Sequence, residues 1–549
     1  MNWSRASPSV LPSWVVTQPR DHTGGQTQKP PVGHVSSSFC TGTDAASSPR
    51  LPYACSSPTD RSDASTTNPM RTATVIVPAM AALLALAPAP VVGQDGSSDP
   101  RLPEASRRLQ QYLRIDTTNP PGNESEAVAF FADIFEREGI AYETVEPEPG
   151  RGSIWARLEG GSAPGIILLH HIDVVPADPR FWKHDPLSGT YENGYLNGRG
   201  ALDTKGLGIM HLEAFLALAR SGAPLARDVI FLATADEEAG GRLGAGWIVR
   251  NRPDLLEGVG LVLNEGGSGR LLGNRVVFSV EVTQKVPMWL RLNAVGPAGH
   301  GSSPSTRSAV TDLIEALERL RQDPFAPRIV PAVGDFFRDL AELESAAAEL
   351  ADPEGLIAEP DRLAALHRTN PMLHALTRNT CAVTRLEGSS KINVVAPAAT
   401  AELDCRLLPD QEPRAFIREL RKRLDQPSIS IEVLMSFKAA VSSTDTDLYR
   451  AIEAVTARRF PGSTVLPAVT AGFTDSHFFR DLGIVAYGFS PAVIPGSDQG
   501  GVHGNNERIS VHNVERGWQT MLDLLRTIAV EPGHGPTSAG VTPTAGGQD

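Results

Sequence analysis

Five short segments of this chain gather acidic and imidazole groups. His170-His171-Ile172-Asp173 closes a continuous apolar run. Gly198-Arg199-Gly200-Ala201-Leu202-Asp203-Thr204-Lys205-Gly206 is a glycine-rich turn that sets Asp203 at the entrance of a helical pattern. Thr234-Ala235-Asp236-Glu237-Glu238-Ala239-Gly240-Gly241 and Asn264-Glu265-Gly266-Gly267 each follow a further apolar run. His503-Gly504-Asn505-Asn506-Glu507-Arg508 comes late in the chain. Taken singly, each has an ordinary reading. A strand-end His is usually structural, Asp203 would be a helix N-cap, Glu237 and Glu238 a solvated acidic loop, Glu265 part of a polar turn and His503 a solvated loop residue. Taken together they say more. Adjacent carboxylates at a strand end repel each other unless a cation or a proton lies among them. A His with an Asp two residues on has an acceptor for its second ring nitrogen, as metal-bound imidazoles require. Hard carboxylates mixed with imidazoles suit zinc, with cobalt or manganese as alternatives. Two metals sharing one carboxylate account for five ligands rather than three. Such a pair activates a water and stabilises the oxyanion formed when that water attacks a carbonyl.

The elements that must hold these groups alternate in type. Residues 165–171, 228–234, 259–263 and 484–489 read as buried strands, apolar from end to end. Residues 104–113, 124–138, 204–221 and 448–459 read as helices. The alternation predicts an α/β fold on a mostly parallel sheet, whose ligand sites lie at the carboxyl ends of the strands. Between 284 and 440 the texture changes. Strand-like 287–295, 380–386, 399–407 and 428–434 are interleaved with helical 308–321, 361–368 and 412–424, and Gly296-Pro297-Ala298-Gly299-His300-Gly301 is a loop. This predicts a smaller α+β unit inserted into the α/β domain, which is divided into 101–283 and 441–532.

The chain has 549 residues, 41% hydrophobic and 21% charged, an ordinary globular balance. A net charge of −13 argues against a nucleic-acid partner, which needs a basic face. No apolar run in the body reaches the length of about eighteen residues that a membrane span needs. Residues 1–69 are rich in Ser, Thr and Pro without apolar periodicity, and read as upstream non-native or disordered sequence. Met70-Arg71, an apolar stretch over 75–92 and Gly93 read as a secretory signal, 70–93. A secreted or periplasmic protein without a stable membrane span after signal cleavage is therefore expected, with a disordered tail over 533–549. Of the cysteines, Cys381 and Cys405 lie beyond the signal without CxxC spacing, which argues against a thiolate zinc site. They either pair in an oxidising compartment or remain as two buried thiols.

Several further motifs occur in a telling order: His171-Ile172-Asp173-Val174-Val175-Pro176, Gly299-His300-Gly301-Ser302-Ser303-Pro304, Asn393-Val394-Val395 and Thr474-Asp475-Ser476. With the acidic segments they make residues 101–530 resemble the ArgE/DapE/aminoacylase/carboxypeptidase S family of co-catalytic zinc metallopeptidases. The resemblance implies two zinc ions. His171, Asp203 and Glu265 would hold one; Asp203, Glu238 and His503 would hold the other, with Asp203 bridging. Glu237 would be the general base and later the acid, and Asp173 would orient His171. Residues 284–440 would form a lid and dimerisation domain of a homodimer, in which His300 reaches the neighbouring subunit's site. Asn393 and Arg406 would bind substrate, with Arg406 and the backbone near Gly472 reading a free carboxylate, a role that suits the planar guanidinium fork.

The implied activity is that of a zinc amidohydrolase or carboxypeptidase. It would cut the amide bond of peptides or N-acyl amino acids by means of a metal-bridging hydroxide. A co-catalytic zinc aminopeptidase would lack the inserted unit carrying His300, Asn393 and Arg406. A catalytically silent metal-binding interaction protein would lack a ligand or the base. Two features depart from the family pattern. Proline follows Asn393 one position later than is common there, and 323–380 is long for a minimal lid.

Overall fold

The uninterrupted apolar runs become the middle of a nine-stranded sheet. Arg227–Thr234, Ala163–His171, Val259–Asn264 and Val485–Gly488 lie side by side in that order and run parallel. Their apolar texture follows from burial on both faces. Ile166, Leu168, Val229 and Phe231 pack with helices Lys205–Ser221 and Val511–Ala529, while Ile167, Leu169, Ile230 and Leu232 pack with Ala245–Asn251 and Ser476–Arg480. The computed structural model describes residues 98–533. The stretch 1–69, the expected signal 70–93 and all of the expected tail after Gly533 lie outside the described residues.

The sheet is wider than the apolar runs imply. Ser153–Leu158 and Tyr142–Val145 extend it antiparallel at one side. Arg275–Gln284, flanked by Gly269–Leu272 and Thr464–Thr470, extends it at the other. These strands lack a continuous apolar run. Tyr142–Val145 is a short half-solvated edge strand, and Thr464–Thr470 carries Pro467, which an edge position tolerates.

Between Arg275–Gln284 and Thr464–Thr470 the chain builds a second, four-stranded antiparallel sheet. Its order is Thr380–Glu387, Ala398–Leu407, Val286–Val295, Ile429–Ser436. Helices Ala309–Gln322 and Pro413–Leu424 cover one face of it. A capping box at Ser308 and Thr311 starts the first of these helices. Along Ala398–Leu407 the period of two sends Ala399, Ala401, Leu403, Cys405 and Leu407 into this core, and sends Glu402, Asp404 and Arg406 to the open face. Cys381 and Cys405 stand opposite each other in register and are joined by a disulfide, so the pairing left open by the sequence is made.

Residues 323–380, for which only a helix over 361–368 was expected, are largely helical. Pro331–Leu343, Pro353–Ala358, Pro360–Thr369 and Pro371–Ala375 each begin with proline at the first helical position. Val333, Phe336, Phe337 and Leu340 share a core with Ala468 and Val469, so this segment covers the edge strand Thr464–Thr470. Among the described residues no helix is long and apolar enough to cross a membrane.

Candidate active site

His171 ends its strand, Glu237 and Glu238 follow Arg227–Thr234, and Glu265 follows Val259–Asn264, so three parallel strands deliver them to one sheet edge. Asp203 arrives from the turn before helix Lys205–Ser221, and His503 from the loop after Val485–Gly488. His171 Nε2 lies 3.1 Å from Asp203 Oδ1 and 3.7 Å from Glu265 Oε1. His503 Nε2 lies 3.1 Å from both Asp203 Oδ2 and Glu238 Oε2. The sets His171/Asp203/Glu265 and Asp203/Glu238/His503 each gather their ligand atoms within 4.8 Å, and Asp203 belongs to both. Glu237 forms a further set with His171 and Glu238. Asp203 is not a helix cap, since Thr204 occupies that position. His170 points away from this cluster, buried against Tyr112, Phe131 and Phe231.

Asp173 does hold the second ring nitrogen of His171, with its backbone carbonyl nearer than its carboxylate. His171 Nδ1 meets the backbone carbonyl of Asp173 at 2.8 Å, while the Asp173 carboxylate is 3.6 Å away. That carboxylate instead accepts the backbone N–H groups of Glu237 and Glu238, each at 3.1 Å, and the Asn119 amide at 2.8 Å. One residue thus fixes both the imidazole, through its carbonyl, and the acidic turn, through its side chain. Asp236 is held in the left-handed region at φ 73°. Its carboxylate accepts from Arg151 at 2.8 Å and from the Leu243 N–H at 2.9 Å, and Arg151 also pairs with Glu124. Gly241 follows with φ +66°, and a Cβ there would come within 2.3 Å of Asp475 Oδ1. Under Asp203, the buried Glu507 carboxylate accepts the N–H groups of Gly200, Leu202 and Asp203 and pairs with Arg199 at 2.8 Å.

The cluster is rich in negative charge. Burial, then the charge of Glu265, holds the Glu237 carboxyl well above the ordinary range. Burial also raises Glu265 and Glu238. Burial opposes ionisation of Asp203 too, but hydrogen bonds from His171 and His503 carry it well below the ordinary range. Hydrogen bonds to Asp203 and Glu238 lift His503 to about 10. Glu238 Oε1 is buried without a hydrogen-bond partner among the described residues. A surplus of buried carboxylates, an orphaned carboxylate oxygen and two imidazoles fit a pair of divalent cations.

A cleft of about 230 Å³ joins Asp203, Glu237, Glu238, Glu265 and His503 to Trp289, Arg406, Met435, Gly472 and Phe473. Arg406 is gripped by Asp404 through Nε at 2.8 Å and Nη2 at 3.1 Å, which leaves Nη1 without a partner among the described residues. Trp289 Nε1 donates to the same Asp404. Gly472 lines the cleft, but its N–H already meets Thr470 Oγ1 at 3.2 Å, so the backbone donor expected there is engaged. A family model for peptidase family M20/M25/M40 matches residues 167–527.

The chain belongs to that family.

As a family member it is a metal-dependent hydrolase of C–N amide bonds. It is 31% identical over 379 residues to the N-fatty-acyl-amino acid synthase/hydrolase PM20D1 of Xenopus tropicalis, covering 67% of this chain and 74% of that protein. It is 27% identical to aminoacylase-1 of Mus musculus, over 79% of this chain and 98% of that one. Its fold matches that of the M20 family metallo-carboxypeptidase Sso-CP2 from Sulfolobus solfataricus. The TM-score is 0.61 at 22% identity, covering 78% of this chain and 99% of that one.

His300 and Asn393 do not line the cleft of their own chain. Gly299–His300 pairs with Val394–Val395, the Gly301 N–H donates to Asn393 O, and both side chains are exposed. His300 Nδ1 meets Ser302 Oγ at 2.7 Å. The supporting residues Asn119, Glu124 and Arg151 passed unnoticed in the sequence. Glu507 lay inside a singled-out segment, and its distance of four residues from His503 was the one available signal.

Proposed function

We propose that this member of the family is a zinc amidohydrolase that frees an amino acid with a free carboxylate from N-acyl amino acids or peptides. The observation that carries this reading is the convergence of two ligand sets sharing Asp203, with Glu237 beside them and Arg406 across the same cleft. His171, Asp203 and Glu265 would hold one zinc, and Asp203, Glu238 and His503 the other. When bound, the cations supply Lewis acidity to the scissile carbonyl and acidify a water. Glu237 belongs to neither of the two sets that share Asp203. It takes the proton from the attacking water and delivers it to the leaving amine, so that one C–O bond forms as the C–N bond breaks. Arg406, whose buried Nη1 has no hydrogen-bond partner among the described residues, receives the substrate carboxylate and sets its orientation. The names of the two curated relatives support N-acyl amino acids as substrates.

In this reading 101–283 and 441–532 are the catalytic parts and 284–440 the lid and dimerisation part. His300 and Asn393, away from their own cleft, serve the site of the other subunit in a homodimer. The Cys381–Cys405 disulfide supports a secreted or periplasmic location reached through the signal 70–93. The test is amino-acid release by the zinc-loaded protein from N-acyl amino acids, dipeptides and their carboxamide-terminated counterparts. Release from the free acids with little from the carboxamides is expected. No release from either class, or equal release from carboxamides, would overturn the reading.

A further inference from the structure

A second and larger cavity, about 490 Å³, opens beside the same ligands. Asp203, Glu265 and His503 line both spaces, whereas Arg406, Trp289 and Phe473 line only the cleft. Much of its wall is apolar: Leu207 and Met210 from helix Lys205–Ser221, Ala492 and Ile494 from the chain after Val485–Gly488, Ile509, and Met372 from helix Pro371–Ala375, with Ser268, Ser279, Ser490 and Gln499 as uncharged polar residues among them. Apart from the three ligands, the one charged side chain among its described lining residues is Arg270. Its volume falls within the roughly 300–1,000 Å³ usual for small-molecule sites.

We propose that this cavity is an acyl-chain site and that the chain selects N-acyl amino acids bearing an extended aliphatic acyl group. The proposal rests on the amidohydrolase reading, because that reading sets the substrate's direction. With the carboxylate at Arg406 and the amide at the ligands, the acyl group must enter the other space those ligands border. An acetyl group leaves most of that space unfilled, whereas each added methylene exchanges water for aliphatic wall. The gain is about fourfold in kcat/KM per methylene until the cavity is full. A dipeptide would place its ammonium beside Leu207, Met210, Ile494 and Ile509, where it is solvated less well than in water, whereas a methylene chain loses nothing there.

The experiment uses the full-length zinc-loaded protein. Its substrates are N-acetyl-, N-hexanoyl-, N-dodecanoyl- and N-succinyl-phenylalanine and alanyl-phenylalanine. We expect kcat/KM to climb from acetyl to dodecanoyl by at least about tenfold, with alanyl-phenylalanine and the succinyl compound below hexanoyl. Ile494→Trp and Met372→Trp, on different elements, fill the cavity from two sides. Each should lower the dodecanoyl-to-acetyl ratio by about tenfold or more. A calorimetric titration of N-dodecanoyl-phenylalanine into metal-free protein should show binding that Ile494→Trp weakens. A flat or falling chain-length profile, preference for the succinyl compound or the dipeptide, or a ratio unmoved by both substitutions would overturn the proposal. Failure to hydrolyse any of the five would defeat the amidohydrolase reading instead. The metal-free titration then decides the cavity's role alone, with absence of binding overturning it.

Discussion

Glu237→Gln separates proton transfer from metal binding. The substitution removes a charge and keeps the shape of a side chain that is 6% exposed. The backbone N–H of Glu237 is held by Asp173 Oδ1 at 3.1 Å, so the amide should occupy the place of the carboxylate. His171, Asp203, Glu238, Glu265 and His503 are untouched, and both ligand sets remain whole. A positioned base contributes roughly 10²–10⁴ in rate, or about 2.7–5.4 kcal/mol of barrier. The expected kcat on an N-acyl amino acid is therefore lower by that factor while both metals stay bound. Stability should move the other way. Burial and the charge of Glu265 oppose ionisation of Glu237, so a neutral amide relieves repulsion and the metal-free variant should unfold at the wild-type temperature or above. Kinetics, elemental analysis by mass spectrometry and a thermal melt of the metal-free protein read the three quantities. Loss of a metal with the substitution, or a rate within about tenfold of wild type, would refute the assignment of Glu237 to protons.

Three further outcomes are expected. Glu507→Gln leaves Arg199 with a neutral partner in a buried pair that is 3% and 0% exposed, and should cost up to about 3–5 kcal/mol of stability. By loosening the turn that carries Asp203 it should also weaken metal binding by about 10–100-fold, measured by chelator competition; unchanged affinity would show that the turn holds itself. Lys285 donates to Ala375 O, Arg378 O and Thr380 Oγ1, and burial pushes its amine down to about 7. Between pH 7 and 10 the unfolded chain holds a proton there that the folded chain has released, so stability should rise with pH by up to about 4 kcal/mol. The difference in unfolding free energy between wild type and Lys285→Met should track that rise, and a pH-independent difference would exclude the effect. For the homodimer, inactive Glu237→Gln subunits exchanged with inactive His300→Ala subunits should recover part of the activity. One site of the mixed dimer then has both groups intact, and no recovery after verified exchange would place His300 outside the partner's site.

The sequence alone determined where the candidate ligands at the strand ends sit on the fold. Parallel strands buried on both faces must be apolar throughout, so each run ends visibly where His171, Asp236-Glu237-Glu238 and Glu265 begin. Arg406 was likewise legible as a strand residue, and the period of two along Ala398–Leu407 places it opposite the core-facing Cys405. The joining of Cys381 to Cys405 was decided by strand register, which their spacing in the chain does not specify. The helices over 331–375 were obscured because their apolar face is short, broken by prolines and directed at an edge strand some hundred residues later. What holds the ligands was settled only in three dimensions. The Asp173 carboxylate reaches the Glu237 N–H across 64 residues and Glu507 reaches Gly200 across 307, and hydrogen bonds between such distant groups leave no local pattern. The large cavity is of the same kind. Its lining comes from residues between Ala201 and Ile509, and an empty space has no residue of its own from which a sequence could announce it.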